Sequence, residues 1–276
     1  SNTKETTGKI AVITGSSRSI GAAIARHMGE QGAKVVVNYV NDSKAADEVV
    51  SAIKATSGSA VAVKADASTI AGGQHLIDET IKAFGGIDIL VLNAGFMGTG
   101  ILADVDEASY DAHFATNVKG PLFLAKAAAS LLPTRKYISL ELDPGGRIIF
   151  FSSSLTASSG MSIPCELNTF HRTDFTSSVV APNTLVYTAT KGAIEQIGRI
   201  LAKDLGAKGI TVNTVSPGPV DTPLFRQGKP QHVIDTIAKL APSSRLGEVE
   251  DIAPVVSFLA SPAAQWVNGQ NIRVNG

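Results

Sequence analysis

The chain has 276 residues, of which 44% are hydrophobic and 17% charged, and its 24 basic side chains balance 24 acidic ones. This length suffices for one large α/β domain or two smaller ones with a sizeable core. The balanced charge, without a basic block or an acidic tail, argues against nucleic acid or a membrane surface as a partner and favours a small molecule. The chain has a single cysteine, Cys165, so it cannot form an internal disulfide. Cys165 and the five histidines do not have the spacing of metal ligands, so no metal is expected.

The first residues, SNTKETTGK, are polar and lack the apolar stretch of a secretory signal. The chain also lacks the run of about 18 apolar residues that a membrane-spanning helix requires. We therefore expect a cytoplasmic protein with no membrane segment.

Short β-branched runs alternate with longer helical patterns along the whole chain. The runs that predict strands are, in order, IAVIT, KVVVNY, AVAVKA, IDILVLN, GRIIFFS, ITVNTVS and QNIRVNG. The segments that predict helices are 20–31, 43–57, 69–84, 107–132, 187–207 and 249–260. Several strands are apolar without alternation, as expected when helices cover both faces of a parallel sheet. The predicted fold is α/β, a single doubly wound Rossmann domain over residues 1–276 with a seven-stranded parallel sheet.

Two segments interrupt this regular alternation. One is an insertion at about residues 155–185, near the predicted active site, and the other, 218–247, carries prolines and glycines around short helical stretches. Long excursions of this kind often form binding loops, lids or subunit contacts. One hypothesis is that Met161, Phe170 or Phe175 narrows a substrate pocket; a surface flap without catalytic effect is the alternative.

The stretch TGSSRSIG, residues 14–21, follows the first predicted strand and opens the first predicted helix. A helix N-terminus presents unpaired N–H groups and a partial positive charge, so a tight turn before it forms an anion site. Gly15 permits the turn and Gly21 permits close packing of the helix, as in the dinucleotide fingerprint. A serine-rich turn with a glycine retained for packing is the alternative interpretation.

The stretch YTATK begins the sixth predicted helix and places Tyr187 and Lys191 four residues apart, on one helical face. A phenol has a pKa near ~10, and a neighbouring ammonium stabilises the phenolate and lowers that pKa. Such a phenol can exchange a proton with an alcohol or ketone. An ordinary Tyr/Lys pair on a helix surface is the alternative.

Polar residues also follow two of the predicted strands. Ser152, Ser153 and Ser154 end the fifth strand, and LNAG at 92–95 ends the fourth. Open α/β sheets bind ligands at this carboxyl edge, where a hydroxyl can hold a carbonyl oxygen. Serines that simply end a strand, and a plain loop glycine at Gly95, are the alternatives.

These pieces, in this order and spacing, resemble the short-chain dehydrogenases/reductases of the single-domain type. The resemblance runs from KIAVITGSSRSIG through VKAD, NAG, TNVKG, SS, YTATK and VSPGPVDTP to VNGQNIRVNG, nearly the whole chain. Within the family the sequence is similar to 3-oxoacyl-carrier-protein reductases and to fungal naphthol and general ketone reductases.

The resemblance implies four catalytic roles. Tyr187 would be the acid–base residue, and Lys191 would bind the nicotinamide ribose and lower the Tyr187 pKa. Ser153 would orient and polarise the carbonyl, with Ser154 as the alternative serine. Asn117 would support a proton-relay water near Lys191.

The resemblance also implies the cofactor contacts. They begin at the pyrophosphate turn, pass the adenine and its ribose, and end beneath the nicotinamide. The residues are Gly15, Ser17, Arg18, Ser19, Ile20, Gly21, Asn38, Tyr39, Asp66, Asn93, Gly95, Tyr187, Lys191, Pro217, Gly218, Val220 and Thr222. Two positions depart from the family pattern: Ser19 stands in place of a glycine and Leu92 in place of an asparagine.

The choice between NADPH and NADH depends mainly on the end of the second strand. An Asp there holds the ribose 2′-hydroxyl of NAD and repels a 2′-phosphate, but Asn38 occupies the position. Arg18 can pair with the extra phosphate, and the competing acid, Asp42, resembles a helix cap. The sequence therefore favours NADPH over NADH.

The predicted function is an NADPH-dependent carbonyl reductase that transfers a hydride reversibly between nicotinamide and a ketone or secondary alcohol. One alternative is a 3-oxoacyl-carrier-protein reductase. Another, of a different class, is a non-catalytic NADPH-binding sensor or scaffold. The resemblance also implies a homotetramer that assembles through the helices at 107–132 and 187–207.

Overall fold

The structure, a computed structural model, describes residues 6–134, 145–156 and 183–276. Most of the predicted insertion at 155–185 lies outside these ranges. The hypothesis that Met161, Phe170 or Phe175 narrows the substrate pocket therefore falls on residues that are not described.

A single sheet of seven parallel strands forms the centre of the molecule. The strands follow the order β3-β2-β1-β4-β5-β6-β7 across the sheet, which confirms the predicted doubly wound α/β fold. In chain order they are β1 (Ile10–Ile13), β2 (Lys34–Tyr39), β3 (Ser59–Lys64), β4 (Ile89–Leu92), β5 (Arg147–Phe151), β6 (Thr211–Pro217) and β7 (Asn271–Val274).

Nine α-helices lie within the described residues. They are α1 (Ser19–Glu30), α2 (Ser43–Ala55), α3 (Ile70–Phe84), α4 (Glu107–Phe114), α5 (Gly120–Ala128), α6 (Leu185–Gly206), α7 (Pro223–Arg226), α8 (Gln231–Leu240) and α9 (Val249–Ala260). The helix predicted over 107–132 is split, because a π-helical turn at Ala115–Lys119 separates α4 from α5. None of the helices in the described part of the chain combines the length and the apolar character needed to cross a bilayer.

Helices cover both faces of the sheet, which explains why several of its strands, such as β1 and β4, are apolar at every position. In β1, Ala11 and Ile13 face a buried cluster that includes Ile24 of α1 and Val256 of α9, while Val12 faces the opposite cluster. That second cluster is formed with α3, α5 and α6. Since side chains alternate between the faces of a strand, covering both faces favours apolar residues at successive positions.

The direction of winding reverses between β1 and β4, which are neighbours at the middle of the sheet. In open α/β sheets a crevice forms at the carboxyl ends of the strands where the order reverses. The segments that follow β1, β4 and β5 meet at this edge, and they carry the glycine turn, the NAG stretch and the three serines of the sequence.

Candidate active site

The turn after β1 is held from the strands on both sides. Gly15 has a φ of +61°, and its N–H donates to Asn38 Oδ1 at 3.1 Å. From the other side, Asn93 Nδ2 donates to the carbonyl oxygens of Thr14 at 3.0 Å and Gly15 at 3.1 Å. The backbone of this turn is therefore fixed before any ligand binds.

Helix α1 begins immediately after the turn and approaches it closely. A Cβ on Gly21 would overlap the carbonyl oxygen of Gly15 and lie 2.6 Å from Asn93 Nδ2, so only glycine fits. Arg18, the N-cap residue, provides no side-chain hydrogen bond to the first turn of the helix. Since those amides have no side-chain cap, the helix N-terminus is available to an anionic group such as a phosphate.

Ser19 adopts the backbone conformation of a glycine. Its φ is +51°, in the left-handed region that glycine occupies readily and other residues occupy at a cost. Serine is therefore tolerated at this family glycine position, and the backbone path of the turn is kept.

Replacing Ser19 by glycine is expected to stabilise the fold by about 0.5–1 kcal/mol. The left-handed conformation costs a non-glycine residue about 1–2 kcal/mol, and the extra entropy of unfolded glycine offsets part of this gain. Urea unfolding of Ser19→Gly against the parent measures the difference. Ser17→Gly is the matched control, because Ser17 has no positive φ, and it should be neutral or destabilising. A Ser19→Gly variant less stable than the parent would contradict the strain at this position.

Asn38 supports the turn after β1 from the protein interior and does not line the surface of the crevice. Its side chain is buried, and Nδ2 donates to the carbonyl oxygens of Val63 at 3.3 Å and Ala65 at 2.9 Å while Oδ1 accepts from Gly15. Asp42 caps α2 by accepting from the Ala45 N–H at 3.0 Å, as predicted. At the position where an Asp would bind the ribose 2′-hydroxyl of NAD, this chain thus has a neutral amide that faces inward.

The remaining predicted cofactor residues lie at the same edge of the sheet. Those that keep exposed surface are Ser17, Arg18, Ser19, Ile20, Tyr39, Asp66, Asn93 and Gly95; Pro217, Val220 and Thr222 are buried. Asp66 Oδ1 accepts from the Ser68 backbone and hydroxyl, and Thr222 caps α7 by accepting from the Phe225 N–H at 3.2 Å. A Cβ on Gly218 would clash with Asn275, which explains the glycine.

The Ser153 side chain lies close enough to the Tyr187 phenol for hydrogen bonding with it to lower the phenol's pKa, so α6 and the turn after β5 meet here. Of the two serines left open by the sequence, the one bonded to Tyr187 is therefore Ser153. Burial raises the Tyr187 pKa above its ordinary value, and the bond from Ser153 offsets only part of that rise.

Lys191 lies one turn further along α6 and is buried. Its Nζ donates to the Phe151 carbonyl at 2.8 Å and lies 5.5 Å from the centroid of the Tyr187 ring. Burial disfavours the charged form and lowers the Lys191 pKa to about 8. The ammonium is still the main form at neutral pH, directly beside the phenol.

The direction of the Tyr187 pKa differs from the sequence expectation. The spacing of Tyr187 and Lys191 predicted a lowered pKa, but here the pKa is raised because desolvation of the phenolate outweighs the favourable contacts. Position on one helical face determined which groups meet. It did not determine how much protein surrounds them.

Asn117 lies in the π-helical turn and is tied to two neighbouring segments. Its Oδ1 accepts from the Phe96 N–H at 2.8 Å, and its Nδ2 donates to the Phe96 carbonyl at 2.8 Å and to Thr190 Oγ1 at 3.0 Å. A Cβ on Gly95 would lie 3.6 Å from Lys191 Nζ and 3.7 Å from Asn117 Oδ1. The structure thus brings Asn117, Lys191 and Gly95 together, and π-helical turns often occur at such sites.

Two residues that sequence reasoning missed hold this wall of the site. Thr190, inside YTATK, accepts from Asn117 and donates to the Tyr187 carbonyl at 2.6 Å. His113 is buried, and its Nε2 accepts from the Gly98 N–H at 2.9 Å. Its position one turn before Asn117 on the predicted helix was the only available signal.

Together, the fold and site define a Rossmann-type protein in which the glycine turn after β1 and a Tyr–Lys–Ser cluster lie at the carboxyl edge of the sheet. In the described ranges no three His, Cys, Asp or Glu side chains gather as a metal site. The chain belongs to the short-chain dehydrogenase family, whose model matches residues 9–164. A second family model, described as Enoyl-(Acyl carrier protein) reductase, matches residues 171–276. The protein is therefore a short-chain dehydrogenase/reductase, an oxidoreductase.

Relatives named as reductases match over almost the full chain. A probable tetrahydroxynaphthalene reductase from Zymoseptoria tritici is 37% identical over 286 residues, with 100% of this chain and 96% of the relative covered. Versicolorin reductase 1 from Aspergillus parasiticus is 38% identical, with 98% and 95% covered. Among solved structures, an angucycline C-6 ketoreductase with bound NADP has a TM-score of 0.82 and 35% identity, with 99% and 96% of the two chains covered.

Proposed function

We propose that this protein is an NADPH-dependent carbonyl reductase that interconverts a ketone and a secondary alcohol. The observation that carries the proposal is the clustering of three side chains at one edge of the sheet: Tyr187, Ser153, which interacts with its phenol, and Lys191, whose Nζ lies 5.5 Å from the Tyr187 ring centroid. Because the Tyr187 pKa is raised, the phenol keeps its proton at neutral pH. A protonated phenol is the form needed to protonate the oxygen of a reduced carbonyl.

The residues around the first turn fit a dinucleotide. The tight turn at Gly15, against which α1 packs closely at Gly21, together with the uncapped start of α1, suits a pyrophosphate. Asp66, Asn93 and Gly95 would hold the adenosine part, and Lys191 the nicotinamide ribose. When bound, the cofactor supplies the hydride.

Two features support NADPH over NADH. Arg18 is exposed at the phosphate turn, where its guanidinium can pair with a 2′-phosphate. Asn38 carries no charge that would repel that phosphate, and its side chain is turned inward. The NADP bound to the ketoreductase relative agrees with this preference.

Each catalytic side chain has a task in the reduction. The Ser153 hydroxyl orients the carbonyl oxygen, and Tyr187 delivers its proton to that oxygen as negative charge develops there. The Lys191 ammonium then stabilises the phenolate that remains on Tyr187. Asn117 holds the backbone beside Gly95 and supports return of a proton toward Lys191 through water.

The substrate class follows from the relatives and one exposed ring. Relatives are named for reduction of tetrahydroxynaphthalene, versicolorin and an angucycline, all of them polycyclic. In this chain Phe96 is 40% exposed and its backbone N–H bonds to Asn117, so an accessible aromatic residue lies close to the catalytic residues. We infer that cyclic phenolic ketones are preferred to 3-oxoacyl thioesters.

Assembly as a homotetramer through α4, α5 and α6 belongs to the same proposal. Tyr110 on α4 is 46% exposed and Ile200 on α6 is 57% exposed, which provides apolar surface for a partner subunit. A cytoplasmic location stays a prediction of the sequence.

The test is oxidation of NADPH and of NADH, followed by nicotinamide absorbance, with a cyclic phenolic ketone, a β-keto ester and an acetoacetyl thioester. We expect turnover with NADPH, and a kcat/KM for the cyclic ketone about 10-fold or more above that for the thioester. Preference for the thioester would favour the acyl-carrier alternative. Binding of NADPH without turnover of any ketone would favour a sensor.

A further inference from the structure

Glu195 is a buried carboxylate on the catalytic helix. It lies on α6 one turn beyond Lys191 and two turns beyond Tyr187, so all three share one face of the helix. Its residue is 8% exposed. A carboxylate in this environment must be hydrogen-bonded, since burying an unpaired charge is costly.

Its hydrogen bonds go to Ser152 and Thr156, which lie one residue before and three residues after Ser153. Ser152 Oγ donates to Glu195 Oε1 at 2.8 Å, and the Thr156 hydroxyl hydrogen-bonds to the same oxygen. Thr156 Oγ1 also lies 2.9 Å from the Ser153 carbonyl oxygen, so its single hydroxyl proton is shared between that carbonyl and Glu195. Glu195 Oε1, on α6, thus hydrogen-bonds to both ends of the turn that carries Ser153.

We propose that Glu195 is a positioning residue for the Ser153 hydroxyl, an inference that rests on the proposed reductase function. Tyr187 and Glu195 belong to one rigid helix, so fixing the turn to Glu195 also fixes Ser153 relative to Tyr187. The Leu155 N–H donates to Ser153 Oγ at 3.3 Å and limits its rotation further. Together these bonds hold the Ser153 hydroxyl where it can contact both the Tyr187 phenol and the carbonyl oxygen of a substrate.

Glu195 acts through geometry rather than through its charge. The Lys191 pKa is lowered by burial, and the Tyr187 pKa responds to burial and to Ser153. Arg199 Nη2 lies 3.9 Å from Glu195 Oε2 on a side chain that is 48% exposed, so this ion pair is weak. An uncharged hydrogen-bond acceptor of the same shape should therefore position Ser153 as well as the carboxylate of Glu195 does.

Three variants test the proposal in steady-state ketone reduction. Glu195→Leu removes the acceptor, and we expect kcat to fall about 10- to 100-fold with the KM for NADPH within about two-fold. Glu195→Gln keeps an acceptor oxygen and should stay within about three-fold of the parent. Arg199→Gln removes only the ion pair and should match the parent.

The pH profile separates positioning from simple structural support. The Ser153 bond lowers the Tyr187 pKa, so a displaced Ser153 leaves that pKa higher. Alcohol oxidation requires the phenolate, and its rate rises with pH as Tyr187 deprotonates. This rise should move to higher pH in Glu195→Leu and not in Glu195→Gln.

A Glu195→Leu variant with the parent's kcat and pH profile would overturn the proposal, even if its melting temperature fell. If that variant does not fold, Thr156→Val and Ser152→Ala each remove one of the two bonds to Glu195 and should each lower kcat partway. Parental kcat in both variants would equally overturn the proposal.

Failure of the parent to reduce any ketone would instead count against the proposed function. Hydrogen exchange at the amides of 152–156 then tests the Glu195 contacts alone. Faster exchange in Glu195→Leu than in Glu195→Gln supports them, and equal exchange overturns them.

Discussion

Replacing Tyr187 by Phe is expected to lower kcat for ketone reduction by about 10²- to 10⁴-fold while the Kd for NADPH changes by less than about two-fold. The substitution removes only the phenolic oxygen, which shares a hydrogen bond with Ser153. The ring that packs near Lys191 Nζ remains, so the shape of the crevice is kept. Steady-state kinetics, with fluorescence titration of NADPH, measures both quantities.

Tyr110→Phe is the matched control. Tyr110 lies on α4, is 46% exposed and stacks on Phe114 with ring centroids 4.4 Å apart. Its phenol lies outside the catalytic cluster, so this variant should turn over like the parent. Full turnover in Tyr187→Phe would end the assignment of Tyr187 as the proton donor.

Replacing Lys191 by Met is expected to abolish turnover and at the same time stabilise the protein without cofactor by about 2 kcal/mol at pH 7. Lowering the Lys191 pKa from 10.5 to about 8 means that folding disfavours the ammonium. That penalty is worth about 3 kcal/mol at most, and loss of the bond to the Phe151 carbonyl removes about 1 kcal/mol of the gain.

The stabilisation by Lys191→Met should depend on pH in a defined direction. Because the folded pKa lies below the unfolded one, the penalty is fully present below pH 8 and disappears as the pH rises toward 10.5. Urea unfolding at pH 7 and pH 10 should therefore show a gain that shrinks with pH. Lys203→Met, on an exposed position of α6, is the control and should change little. A destabilised Lys191→Met at pH 7 would refute the burial penalty.

The sheet was predictable because its signals are local. KVVVNY is observed as β2 at Lys34–Tyr39, and the apolar character without alternation of several strands correctly indicated helices on both faces. The division of the 107–132 helix was not predictable. Its π-helical turn accompanies bonds from Asn117 to Phe96 and Thr190, which are distant in sequence.

The same distinction applies to the site. The spacing of Tyr187 and Lys191 placed them on one face of α6, as the structure shows. The inward orientation of Asn38 and the raised Tyr187 pKa depend on which groups from other strands surround them, and spacing carries no information about that. Glu195 escaped notice because its partners, Ser152 and Thr156, belong to a different segment.

The inward-facing Asn38 also restricts how this enzyme can evolve. An Asp at this position would place a second oxygen where Nδ2 now donates to the Val63 and Ala65 carbonyls, and the repulsion would loosen the turn at Gly15. The residue change that commonly redirects cofactor choice would therefore damage the turn that we propose binds the phosphates of either cofactor. A lineage of this protein that acquires a preference for NADH would have to change outward-facing residues such as Arg18 or Tyr39 first.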